Sequence, residues 1–85
     1  MKLKVLYFAS IREKVGRDAE EIDVPGDVAT VAALCSHLRG CGANYKEAFS
    51  EKTLLRAAVN QDMAQPSDRI QAGDEVAFFP PVTGG

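Results

Sequence analysis

The residues best placed to do chemistry are the last ones. Val82-Thr83-Gly84-Gly85 follows directly on Phe78-Phe79-Pro80-Pro81, and the reactive group of such an ending is the C-terminal carboxylate of Gly85. Glycine has no Cβ, so Gly84 and Gly85 can pass through a cleft that any side chain would block, with their backbone close to a nucleotide or metal. Pro80 and Pro81 fix φ and remove two backbone donors, which stops the preceding strand and gives the exit an extended, semi-rigid form. Only small residues follow, so the tail is expected to enter a partner's active site. A plain frayed end is the alternative, and the Phe-Phe-Pro-Pro stiffener ahead of the glycines weighs against it.

Other reactive side chains are few and badly spaced for joint chemistry. Cys35, His37 and Cys41 lack the four ligands in close pairs that structural zinc needs, or the four thiolates of an iron–sulfur cluster; no metal site is expected. Cys35 falls on the apolar stripe of a helix, where a thiol is a small hydrophobe. Cys41, between Gly40 and Gly42, is expected to be an exposed free thiol, and His37 to be solvated on the polar face. Gly16, Gly26, Gly40, Gly42 and Gly73 are scattered turn glycines, not a phosphate cradle. With no triad or paired-carboxylate site either, the catalytic groups are expected to come from partners.

A chain of 85 residues makes one small domain that buries somewhat over ~60% of its unfolded surface. Hydrophobic residues at 46% and charged ones at 26% are ordinary globular composition. The net charge of -2 and the lack of a basic cluster argue against nucleic acid as a partner. Apolar runs are too short for a membrane span, and no signal region follows Met1-Lys2-Leu3-Lys4, so the cytoplasm is the expected compartment.

The elements that must position the tail follow from periodicity. Residues 2–9 read as a centrally buried first strand. Ser10 is expected to cap a short helix over 11–15, with Glu13 completing a capping box and Gly16 ending it. Residues 19–24 alternate as an edge strand pairing back on the first. Thr30 offers an N-cap for the main helix over 31–39, whose face is Val31, Leu34, Cys35 and Leu38, with Gly40 as its left-handed cap. A short second helix is expected over 44–50, a strand over 54–59, a turn at Asn60-Gln61-Asp62, then a loop and a final strand over 75–79.

Two strands, a crossover helix and further strands, the last beside the first, give an α+β fold of β-grasp type. Its mixed sheet carries the main helix on one face. Residues 1–81 form the domain and 82–85 an extended tail; a ferredoxin-type split β-α-β is the competing topology. Alternation puts one of each aromatic pair, Tyr7-Phe8 and Phe78-Phe79, on the face away from the helix. Lys2, Lys4, Leu6 and Phe8 are the more polar set, so Phe8 is expected to be exposed. Phe79 with Ala77 matches it on the neighbouring strand, and Met63 completes a partner surface.

Three stretches carry a resemblance: Val5-Leu6-Tyr7-Phe8-Ala9-Ser10-Ile11-Arg12-Glu13, Ala58-Val59-Asn60-Gln61, and the whole ending from Gly73 to Gly85. With Thr30-Val31 leading into Leu34, they resemble the small subunit of molybdopterin synthase from end to end; residues 40–50 carry no signature. The resemblance implies a ubiquitin-like sulfur carrier. An E1-like enzyme would use ATP to adenylate Gly85, and a sulfur donor would convert the adenylate to a thiocarboxylate. Delivery would be to cyclic pyranopterin monophosphate in the large subunit, within a heterotetramer. Gly84, Thr83 and Val82 would give access, and Pro81 and Pro80 would set the direction. No cofactor would be held by the carrier itself. Two other readings stand beside this one: a thiamin-type sulfur carrier or ubiquitin-related modifier, and an interaction module whose terminus is incidental.

Overall fold

A computed structural model of the protein describes residues 1–81. The expected tail, 82–85, lies outside them. Strand β1 is Lys2–Tyr7, helix α1 Ala9–Val15, strand β2 Ala19–Asp23, helix α2 Val31–Arg39, helix α3 Ala43–Ala48, and strands β3, β4 and β5 are Arg56–Val59, Asp62–Ala64 and Glu75–Phe79. They form one five-stranded sheet in the order β2-β1-β5-β3-β4. β1 and β5 run parallel at its centre, and the remaining pairs are antiparallel. This is the β-grasp arrangement.

Period-two patterning sorts the strands onto two faces. Leu3, Val5 and Tyr7 of β1 join Val76 and Phe78 of β5 in one core with Ile11, Val31, Leu34, Leu38 and Phe49. The main helix starts where Thr30 Oγ1 accepts the Ala33 N–H at 3.1 Å, and buries Val31, Leu34 and Leu38. Cys35, on the same stripe, is half-buried against the core.

Several local expectations are corrected. Ser10 does not cap α1: the helix begins at Ala9, and its N-cap is Phe8, which makes no side-chain capping bond. The Phe8 carbonyl instead accepts the N–H groups of Ile11 at 3.1 Å and Arg12 at 3.2 Å. Gly40 is right-handed, with φ -87°; α2 ends by tightening, the Gly40 N–H going to the His37 carbonyl and the Cys41 N–H to that of Leu38. The left-handed glycine cap belongs to Gly16, φ 85°, at the end of α1. Strand β3 starts only at Arg56, leaving Leu54 outside it and 76% exposed. The short strand β4 was not expected at all: Asn60 and Gln61 both take positive φ, 51° and 72°, as a two-residue hairpin turn demands, and Asp62–Ala64 pairs back on β3.

One polar cluster ties the edge strand to the helical layer. Glu20 Oε2 accepts the Tyr7 hydroxyl at 2.8 Å and the Tyr45 hydroxyl at 2.7 Å, while Arg17 Nη1 lies 3.6 Å from the other carboxylate oxygen. The Tyr7 ring meets Tyr45 and Phe49 edge to face, and Phe49 meets Phe78 in the same way at 5.0 Å. Aromatic pairs in this geometry add to what their area burial contributes.

Two outcomes follow. Thr30→Ala removes the cap of α2 and should lower stability by about 1 kcal/mol, read as a drop in Tm of several degrees. Burial and the bond to Glu20 push the Tyr45 phenol up from 10.0 to about 12, and Tyr7, more deeply buried, further still. The unfolded chain loses these protons near pH 10 while the folded chain keeps them, so stability falls as pH rises through that point. Tm should be level up to about pH 9 and drop between about pH 10 and 12, and a Tyr7→Phe/Tyr45→Phe variant should show a shallower drop.

Candidate functional site

The face of the sheet away from the helices has an order that only the register reveals. Leu6 pairs with Ala19 on one side and Ala77 on the other, Ala77 with Ala58, and Ala58 with Met63. An apolar row thus crosses all five strands. One step toward the start of β1, Lys4 lies between Glu21 and Glu75, a charged border to the row. One step the other way, Phe79 pairs with Arg56.

Phe8 extends this face. Its backbone is still extended, φ -125° and ψ 153°, and its N–H donates to the Phe78 carbonyl at 3.0 Å. One step past the Tyr7–Phe78 pair, Phe8 and Phe79 therefore come side by side, with Phe8 46% exposed. Phe79 is half-buried and stays outside the core that takes Phe78. Met63, 64% exposed, closes the far end of the row on β4. The three side chains singled out from sequence share one face, with Phe8 and Phe79 adjacent and Met63 separated from them by the two alanines. Alternation along the strands already places Leu6 and Ala77 on this face; Ala58, and the continuity of the row from Ala19 to Met63, are not legible in the sequence, because cross-strand register is not written in local periodicity.

The stem of the tail leaves from this same end. Strand β5 stops at Phe79, and the half-buried Pro80 and Pro81 follow. Both lack a backbone N–H, so neither can extend the ladder. Val82, Thr83, Gly84 and Gly85, the residues assigned to the tail, lie outside the described residues.

The thiols are not activated. Burial pushes Cys35 up to about 11, against a small opposing pull from Arg39, and Cys41 is raised by burial and the charge of Glu20. A raised pKa disfavours the thiolate, the reactive form. Cys41 is exposed, as its loop position implies, and its thiol donates to the His37 carbonyl at 3.5 Å. His37 is half-buried rather than fully solvated. Among the described residues no three His, Cys, Asp or Glu side chains gather as metal ligands, and no helix is long and apolar enough to cross a membrane.

Comparison with known proteins extends this picture to the full length of the chain. It is 48% identical over 83 residues to the molybdopterin synthase sulfur carrier subunit of Escherichia coli, covering 98% of this chain and 99% of that one. Among solved structures, the putative molybdopterin converting factor subunit 1 from Pyrococcus furiosus superposes with a TM-score of 0.78 at 31% identity, covering 96% and 99% of the two chains. SAMP1 from Haloferax volcanii gives a TM-score of 0.76 at 29% identity and covers both chains completely. The sequence model of the ThiS family matches residues 5–85, and the chain belongs to that family.

Proposed function

We propose that this chain is the sulfur-carrier subunit of a molybdopterin synthase, acting in the cytoplasm and supplying no catalytic group of its own. The observation that carries the reading is the central, parallel position of β5. The last strand is gripped on both sides and delivers Pro80-Pro81 to the end of the open face where Phe8 and Phe79 stand together. A domain built this way offers a docking surface and a reactive terminus as one unit. Likeness to the Escherichia coli sulfur carrier subunit along nearly the whole of both chains supports the same role.

The chemistry required of the terminus is modest for the carrier and demanding for its partners. A carboxylate of pKa roughly 3.5 is ionised at neutral pH and is a poor acyl donor. An E1-like enzyme attaches AMP to the Gly85 carboxylate with loss of pyrophosphate from ATP, and sulfide-level sulfur released by a sulfur donor protein then attacks the acyl carbon and expels AMP, leaving a thiocarboxylate. The sulfur, softer and more nucleophilic than oxygen, attacks an activated carbon of cyclic pyranopterin monophosphate within the large subunit, and water then cleaves the acyl C–S bond, which leaves the sulfur on the product and returns the carrier as a carboxylate. Phe8, Phe79 and Met63 dock on the large subunit, in a heterotetramer with a carrier at each end. Pro80 and Pro81 direct Val82, Thr83, Gly84 and Gly85 inward.

The decisive experiment is intact mass after expression beside the activating enzyme, ATP and a sulfur source. One oxygen replaced by sulfur, localised to Gly85, is the expected result; an unchanged mass overturns the reading. The likeness to SAMP1 from Haloferax volcanii favours one second reading, a ubiquitin-related modifier. Isopeptide-linked conjugates on lysines of other proteins would identify it.

Removing Gly85, or adding a residue after it, should leave Tm unchanged and abolish both adenylation and sulfur transfer, because the change falls beyond β5 and the core it completes. Thiocarboxylate formed at the normal rate on an extended, unprocessed chain would contradict this. Phe79→Ala should weaken binding of the large subunit by about 1–3 kcal/mol, the usual range for an interface anchor, with little loss of Tm. A steep fall in Tm with unchanged affinity would place Phe79 in a structural role and move the docking surface elsewhere.

A further inference from the structure

Phe8 stands at a corner that the fold holds under constraint from both sides. The next residue, Ala9, has φ 50°, a left-handed conformation that disfavours any residue with a Cβ. Asn60 and Gln61 share the sign, but a two-residue hairpin explains them; Ala9 lies in no such turn. Such a conformation persists only where the surroundings over-determine it, and it concentrates at functional sites.

The surroundings here are specific. Before the corner, the Tyr7 hydroxyl is held by Glu20 at 2.8 Å, and the Tyr7 N–H by the Asp18 carbonyl, also at 2.8 Å. The same Glu20 oxygen takes the Tyr45 hydroxyl, so one carboxylate locks β1 to both β2 and α3. After the corner, Ile11 is fully buried and its N–H donates to the Phe8 carbonyl. Phe8 itself is left with a fixed backbone and an exposed ring.

We propose that Glu20 and Ala9 are positioning residues that present Phe8 to the partner: Glu20 fixes the strand entering the corner, and Ala9 restricts the chain leaving it. This rests on the reading that Phe8 belongs to the docking face. An aromatic side chain whose backbone is already ordered loses less freedom on binding than one on a mobile loop, so presentation of this kind raises affinity without adding a contact.

The two residues make opposite demands on stability, and that separates presentation from folding. Glu20→Ala leaves two phenols without their acceptor and should lower Tm. Ala9→Gly removes the steric objection to positive φ, so Tm should hold or rise. Binding of each variant to the purified large subunit is measured by calorimetry at a temperature where circular dichroism shows both folded, with Phe8→Ala beside them. The expected result is an affinity about three- to tenfold weaker for both Glu20→Ala and Ala9→Gly, whichever way Tm moves. Wild-type affinity of Ala9→Gly, with Phe8→Ala weakened, overturns the positioning role and leaves the docking face intact. Wild-type affinity of Phe8→Ala removes the docking role of Phe8 and this inference with it.

Discussion

Parallel pairing of β1 with β5 joins the first strand of the chain to the last one described, and parallel neighbours need a long crossover between them. Everything from Phe8 to Asp74 is that crossover. It supplies the helical layer that covers one face and the two antiparallel partners, β2 and β3, that flank the central pair. Because β1 and β5 run the same way, their ends coincide. Phe8, Phe79 and the proline stem therefore emerge together, whereas an antiparallel β5 in the same place would send the stem to the opposite end of β1.

A domain of this size has little core to spare, and it spends much of it at that end. Tyr7, Phe49 and Phe78 are all fully buried there, packed edge to face in sequence. Two of the polar groups that come with this aromatic layer, the hydroxyls of Tyr7 and Tyr45, converge on Glu20. A buried polar network is stabilising only when its members are satisfied, and no buried side-chain polar atom among the described residues lacks a partner. At the end of the domain where β5 stops, four rings and one carboxylate thus cross-link β1, β2, β5 and the α3 region.

The central strands, the main helix and its Thr30 cap were legible because each is written in a local pattern: alternation in β1 and β5, an i, i+3, i+4, i+7 stripe in α2. What failed was set by tertiary contact. Asp62-Met63-Ala64 has no β-branched residue and is too short to show a period; it is a strand because β3 offers it an edge. Ser10 is a good cap by type, but the Phe8 carbonyl already holds the first turn. Gly40 could have taken positive φ, yet the 3₁₀-like turn into Cys41 satisfies the last carbonyls without it. Glu20 left a readable trace, an acid on the same side of β2 as Ile22, which alternation turns inward; its two tyrosine partners sit 13 and 25 residues away. Of the open face, Phe8 and Phe79 followed from strand parity, whereas the row joining them to Met63 needed the register.

The shape of that row bears on how a partner would use it. Ala77 and Ala58 at its middle are small, so the sheet surface there is low, while Phe8 and Phe79 rise at one end and Met63 at the other. Tall apolar side chains around a shallow floor form anchors for a complementary surface, and interface energy concentrates in such anchors rather than in the area between them. Methionine adds an unbranched, adaptable contact at the far end. The charged border of Lys4 between Glu21 and Glu75 keeps the apolar region narrow and sets one positive group against two negative ones, while Arg56 beside Phe79 adds a positive group on the other side of the row, so the two signs flank the row with little net charge. A partner seated on this face would then be recognised by shape and apolar burial. In the proposed role that suits a carrier whose terminus must be aimed by its docking: Pro80-Pro81 leave from the aromatic end of the row, so a partner seated on Phe8 and Phe79 receives the stem at the edge of the contact it has already made.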